Sequence, residues 1–173
     1  MTKIINLFGG PGVGKSTTAA ALFAEMKYQG KNVELVQEYI KEGVWEGRSE
    51  KFFAAQEYIF AKQNWKLSRL IGEVDYIVTD SPLLLSLIYK NDSYPPSFDE
   101  FVLHTFNQYD NFNICLKRDK EYNGAGRFQT EKEAKKIDVQ INRFLLLNYI
   151  KNIRLEANRE TPNQILEYLN HDS

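Results

Sequence analysis

A single cysteine, Cys115, and two histidines are all the thiol and imidazole in a chain of 173 residues. A lone thiol cannot close an internal disulfide or build a cysteine-rich zinc site. A secreted disulfide scaffold is therefore excluded, and a reducing cytoplasmic compartment is expected. Long apolar runs are missing too. No segment reaches the ~18 residues of a membrane-spanning helix, and the N-terminal MTKIINLFGG is too short in apolar length to read as a signal peptide. Neither sign of charge is in excess: 22 Lys plus Arg stand against 23 Asp plus Glu. That balance argues against a protein held on nucleic acid by bulk electrostatics and leaves room for a local basic patch. Repeats, low-complexity tracts and linkers are absent as well, so residues 1–173 read as one domain. With 43% hydrophobic residues it can bury a full core.

What is present is an alternation of short apolar runs with longer helical patterns, the layout of βαβ units and of an α/β fold with a parallel sheet. Strands are expected at Lys3 to Phe8, Asn32 to Val36, Tyr76 to Thr79, Phe112 to Leu116 and Ile153 to Glu156. Their sparse alternation suits burial on both faces. Helices are expected at Lys15 to Tyr28, along one long stretch from Ser49 to Ile71, and at Leu83 to Tyr89, Phe98 to Tyr109 and Glu131 to Asn148. Thr130 with Glu133 reads as a capping box, and Pro162 opens a last helix to about Leu169.

Gly9-Gly10-Pro11-Gly12-Val13-Gly14-Lys15-Ser16 fits G-x-x-x-x-G-K-[ST] at every fixed position. Glycines let the backbone of Gly10, Pro11, Gly12, Val13, Gly14, Lys15, Ser16 and Thr17 curl so that its N–H groups, of which Pro11 has none, converge on phosphate oxygens. Lys15 adds a point charge near the β and γ phosphates, and the Ser16 hydroxyl can ligate Mg²⁺. The preceding strand-like run and the following Ala-rich helix are the setting that supports the motif.

Tyr76-Ile77-Val78-Thr79-Asp80 ends an apolar strand in a carboxylate that can complete the Mg²⁺ site; an Asp that merely caps the next helix is the bland alternative. Glu38 follows the second strand. Ligands of open parallel sheets bind beyond the carboxyl ends of the strands, so Gln37, Glu38 and Tyr39 are expected to share a crevice with Asp80. There Glu38 can take the proton of an attacking hydroxyl; otherwise it is a solvated strand exit. The segment 117–129, with Gly124, Gly126, Lys117, Arg118, Lys120 and Arg127, reads as a basic lid. Arg118 and Arg127 are its candidate transition-state clamps, the alternative being a solvated charged loop.

A GTPase needs N-K-x-D after a strand, whereas Asn107-Gln108-Tyr109-Asp110 precedes one. An AAA-type motor needs a further helical domain, for which little chain remains. Ile5-Asn6-Leu7-Phe8-Gly9-Gly10-Pro11-Gly12, Val33-Glu34-Leu35-Val36-Gln37-Glu38-Tyr39 and Thr79-Asp80-Ser81-Pro82-Leu83-Leu84-Leu85 resemble the small phage-encoded members of the thymidylate-kinase-like and deoxynucleoside-kinase-like branch of P-loop kinases.

The resemblance implies a three-layer P-loop kinase fold with strand order 2-3-1-4-5, ATP with Mg²⁺, and a nucleoside-like acceptor. The phage relatives add 5-hydroxymethyluracil in DNA as an acceptor candidate and a host cytoplasm; a second copy of the chain is separately a candidate partner. By position it makes Glu38 the base and Gln56 a reader of the nucleobase, for which a buried amide is suited; an ordinary surface Gln is the alternative. The family's Arg after the third-strand acid is here Ser81, so a monophosphate would need another cation, Arg48.

Of the aromatics Tyr39, Trp45, Phe52, Phe53 and Tyr58, most are expected in the core, with Trp45, between Gly43 and Gly47, as the stacking candidate. Lys132, Lys135, Lys136 and Arg143 form a stripe that faces either DNA or, more simply, solvent. The functional alternatives are an ATP-dependent binding switch or NTPase, and an enzyme directed at DNA.

Overall fold

Ile4 and Phe8 face one side of a sheet, and Ile5 and Leu7 face the other. All four belong to β1 (Lys3–Phe8) in a computed structural model that describes residues 2–119 and 130–171. The remaining strands are β2 (Val33–Val36), β3 (Tyr76–Thr79), β4 (Asp110–Lys117) and β5 (Ile153–Glu156). Their order is β2-β3-β1-β4-β5, and every pairing is parallel. The α/β class and the strand order match expectation.

Eight helices are described: α1 (Lys15–Tyr28), α2 (Ile40–Trp45), α3 (Glu50–Ala54), α4 (Gln56–Ser68), α5 (Leu85–Tyr89), α6 (Pro96–Asn107), α7 (Glu131–Leu147) and α8 (Thr161–His171). On the Ile4 face, Phe60, Leu85, Val102, Phe106, Ile141 and Leu145 bring α4 to α7 onto the sheet. On the Ile5 face, Leu22 and Met26 of α1 pack with Ile165 and Leu169 of α8. The period-2 alternation of β1 thus serves both outer layers at once. The Thr130–Glu133 capping box forms as read, with the Thr130 side chain accepting the Glu133 N–H. Among the described residues no helix is long and apolar enough to cross a membrane.

Asn6 interrupts the apolar run of β1 and is buried. Its Nδ2 donates to Asn111 Oδ1 (2.9 Å) and Asn113 Oδ1 (3.0 Å) on β4. Asn113 in turn donates to the Lys151 carbonyl at 3.0 Å. Partnered amides of this kind cost little in a core, and a one-residue slip of β1 against β4 would strand them.

Three expectations change. The long helix from Ser49 to Ile71 is broken at Ala55 (φ −79°, ψ 70°) into α3 and α4. The Tyr94 hydroxyl sits in the break, accepting the Gln56 N–H at 2.7 Å and lying 3.0 Å from the Ala54 carbonyl. It thereby occupies backbone groups that a continuous helix would pair internally. Secondly, Trp45 lies at the end of a helical turn, α2, rather than in an open loop. Thirdly, β5 alternates between half-buried and exposed residues, because it is an edge strand with α8 on one face. The solvated reading of Lys132, Lys135, Lys136 and Arg143 agrees with their exposure on α7.

Candidate active site

The crevice lies beyond the carboxyl ends of β1, β3 and β2, where the chain leaves the sheet for the P-loop, Asp80 and Glu38. Gly14, at φ 109°, is the N-cap of α1, a conformation that an L side chain rarely adopts. It supplies no capping side chain, and the first turn carries no carboxylate. The leading amides of α1, on Lys15, Ser16 and Thr17, therefore remain open to an anion. Lys15 Nζ donates to the Gly9 carbonyl at 2.6 Å and the Gly10 carbonyl at 3.2 Å. Burial lowers its pKa, opposed by the negative charges of Glu38, Asp80 and Asp138. The ammonium is thus poorly hydrated and held within the loop, a state in which a phosphate gains most from pairing with it.

A cavity of about 210 Å³ is lined by Ser16, Gln37, Glu38, Lys41, Glu42, Trp45 and Asp80. It gathers five residues singled out from the sequence, Ser16, Gln37, Glu38, Trp45 and Asp80. Asp80 is buried and accepts the Glu38 backbone N–H on Oδ1 at 3.0 Å. Its other oxygen accepts no hydrogen bond among the described residues. A hydroxyl and a carboxylate oxygen lining one cavity suit a hard divalent cation such as Mg²⁺. Burial pushes the Glu38 carboxyl above its usual range, and Asp80 adds to this while Lys15 and Lys41 oppose it. A carboxylate so desolvated is a stronger proton acceptor than one in water.

Lys41 and Glu42 were not read from the sequence, because a six-residue helix with a central glycine leaves no periodic signal. Gly43 has a steric reason: a Cβ there would lie 2.3 Å from Phe52 Cε1. Propensity favours Gly43→Ala by about 1 kcal/mol, while forcing a methyl into the ring costs about 1–3 kcal/mol. We expect a lower melting temperature and a raised acceptor KM, since α2 carries the cavity wall. A variant melting higher than the unsubstituted protein would show that Phe52 yields.

The other candidates surround the cavity without lining it. Tyr39 donates its backbone N–H to Gln63 Oε1 (3.1 Å), its hydroxyl lies 3.1 Å from that of Tyr58, and its ring packs edge-on against Phe52 and Tyr58. Gln63, to which the sequence reading gave no role, is buried and also reaches Thr79 Oγ1 at 3.4 Å. It ties the turn after β2 to β3. Gln56 is buried, as a base reader would need, but its amide donates to the Phe53 carbonyl at 2.8 Å. Arg48 pairs with Glu46 at 2.5 Å and lies over the Phe52 ring. Ser81 donates its N–H to Thr79 Oγ1 at 3.2 Å.

Arg118 is engaged against the P-loop: Nε reaches Asp138 Oδ2 at 2.5 Å and Nη2 the Pro11 carbonyl at 2.7 Å. Arg127 and most of the 117–129 lid, Lys120 included, lie outside the described residues. Tyr89 on α5, which the sequence reading gave no role, is raised in pKa by burial and by the charges of Glu38 and Asp138. A larger hollow of about 330 Å³ lies at Leu155, Gln164, Glu167, Tyr168 and His171 and brings none of the motif residues together.

The sequence model of a family described as an AAA domain matches residues 4–160. This span runs from β1 through β5 and holds the P-loop. No curated protein matches significantly. Among solved structures, deoxyadenosine kinase from M. mycoides, bound to its products dCMP and a flexible dCDP, is similar with a TM-score of 0.63 and 17% identity, over 98% of this chain and 100% of that one.

Proposed function

The chain belongs to the AAA-domain family and has a P-loop nucleoside-kinase-like fold, and from that premise we propose that it is an ATP- and Mg²⁺-dependent kinase acting in the cytoplasm. Its acceptor is a hydroxyl on a nucleoside, a nucleotide or a modified pyrimidine, with 5-hydroxymethyluracil in DNA among the candidates. The observation that supports this best is the cavity that brings Glu38 beside Ser16 and Asp80 at the mouth of the P-loop.

In this reading the P-loop amides and Lys15 hold the triphosphate, and Ser16 and Asp80 hold the metal. The metal supplies charge neutralisation at the phosphates. Glu38 takes the proton as the acceptor oxygen bonds to the γ-phosphorus, the bond to the β–γ bridging oxygen breaks, and ADP leaves. Trp45, 75% exposed at the cavity rim, offers a face on which a flat base can stack. Arg127 is the remaining candidate for the cationic clamp. Arg48 is already engaged by Glu46, which favours an acceptor without a phosphate of its own.

Labelled ATP offered with free nucleosides, with mononucleotides, and with DNA containing or lacking 5-hydroxymethyluracil tests the reading. We expect label on one acceptor class. Steep salt dependence would single out DNA. Slow ATP hydrolysis that no acceptor accelerates would sink the kinase and leave a nucleotide-dependent switch.

A further inference from the structure

Gly10 occupies a variable position of the P-loop motif, and its φ is not positive, so neither the motif nor the backbone conformation demands glycine there. The demand comes from α7. A Cβ on Gly10 would lie 2.7 Å from Asp138 Oδ1, 2.9 Å from the Ala134 carbonyl and 3.2 Å from Arg118 Nη2. Into this close approach Asp138 places both carboxylate oxygens. Oδ1 accepts the Gly10 N–H at 2.7 Å, and Oδ2 accepts Arg118 Nε at 2.5 Å. Arg118 spends Nη2 on the Pro11 carbonyl at 2.7 Å. Both side chains are largely shielded, 20% and 13% exposed.

Two peptide planes of the loop are thereby oriented. In a trans peptide the C=O and N–H point in opposite directions, and no peptide of the described chain is cis. With its N–H on Asp138, the Gly9–Gly10 peptide turns its carbonyl the other way, where Lys15 Nζ meets it at 2.6 Å. With its carbonyl on Arg118, the Pro11–Gly12 peptide turns the Gly12 N–H away from the guanidinium. We infer that Asp138 is a positioning residue for the triphosphate site: with Arg118 it sets the orientation of the Gly9–Gly10 and Pro11–Gly12 peptides. Arg118 then acts through the loop rather than on the transferring phosphoryl group.

The inference rests on the P-loop as a triphosphate site and not on the acceptor, so it is scored on binding. Calorimetry with ATP and with inorganic triphosphate compares D138A, R118A, R118K and the double variant R118A/D138A, with melting curves to confirm folding. Loss of one charge-assisted contact set should weaken both ligands about tenfold in each single variant. The double variant should be no weaker than the singles, and R118K, which keeps the charge and loses the fork, should behave as R118A. At saturating ATP, kcat should fall by less than about threefold, against the ~100-fold or greater loss expected of a transition-state donor. Unchanged ligand affinity in D138A, near-normal binding in R118K, or a hundredfold loss of kcat in R118A with affinity intact would each overturn the inference. A protein that binds ATP without transferring phosphate would defeat the kinase reading and leave this inference standing. No binding of ATP or triphosphate by the unsubstituted protein overturns both.

Discussion

Lys15→Ala is expected to lower kcat by about 10²–10³-fold and to weaken ATP binding as well, because one ammonium serves two purposes in the site besides pairing with phosphate. It is the cation nearest the P-loop's own carbonyls, at 2.6 and 3.2 Å from those of Gly9 and Gly10. Its removal leaves these oxygens without their donor inside the loop that must keep its shape. It is also the positive charge that Glu38, Asp80 and Asp138 all act upon. Three carboxylates around an anion-binding loop are tolerable only while that charge is present. Direct titration of ATP into the variant, beside steady-state transfer rates, separates the two losses. Burial lowers the Lys15 pKa, so in the free protein ATP affinity should also decline on the alkaline side sooner than for an ordinary lysine. Phosphoryl transfer within tenfold of the unsubstituted protein would remove the P-loop from the proposed chemistry.

The parts of this fold that were legible in the sequence are those specified by neighbours in the chain. β1, α1 and the P-loop between them follow from an apolar run, four glycines and an alanine-rich helix, all within 28 residues. The break between α3 and α4 was not legible, because it is made by a hydroxyl on Tyr94, 38 residues from Gln56. Gly43 looked like loop punctuation; its reason is the Phe52 ring. Arg118 read as a candidate transition-state clamp of the basic lid, and Asp138 drew no reading at all. They meet only because α7 returns over the P-loop, and the pair then fixes a glycine, Gly10, that the motif alone left unexplained. The acids of the candidate site were legible for a topological reason: carboxylates directly after parallel strands must point into the same crevice. Gln63 and Lys41 had no such rule to reveal them.

Glu38→Gln should depress kcat by about 10²–10⁴-fold while leaving ATP affinity close to normal, since in the proposed reading the P-loop amides and Lys15, not Glu38, hold the triphosphate. The pH dependence makes the assignment specific. Burial, reinforced by Asp80, raises the Glu38 pKa. A base must be deprotonated, so kcat/KM should rise with pH through that elevated value, and the acid limb should lie above the ~4.3 of an ordinary glutamate. In Glu38→Gln the limb should vanish. Lys15 opposes the rise in the Glu38 pKa, so in Lys15→Ala the limb should move further up, coupling the two residues in one measurement. Stability carries the same signature with its own sign. The folded state holds the Glu38 proton to higher pH than the unfolded chain does. Folding therefore loses free energy as pH rises from the unfolded pKa through the folded one. Glutamine stays neutral throughout, so Glu38→Gln should gain in melting temperature relative to the unsubstituted protein as pH rises across that window. A variant that loses turnover but keeps the acid limb would pass the role of base to Asp80.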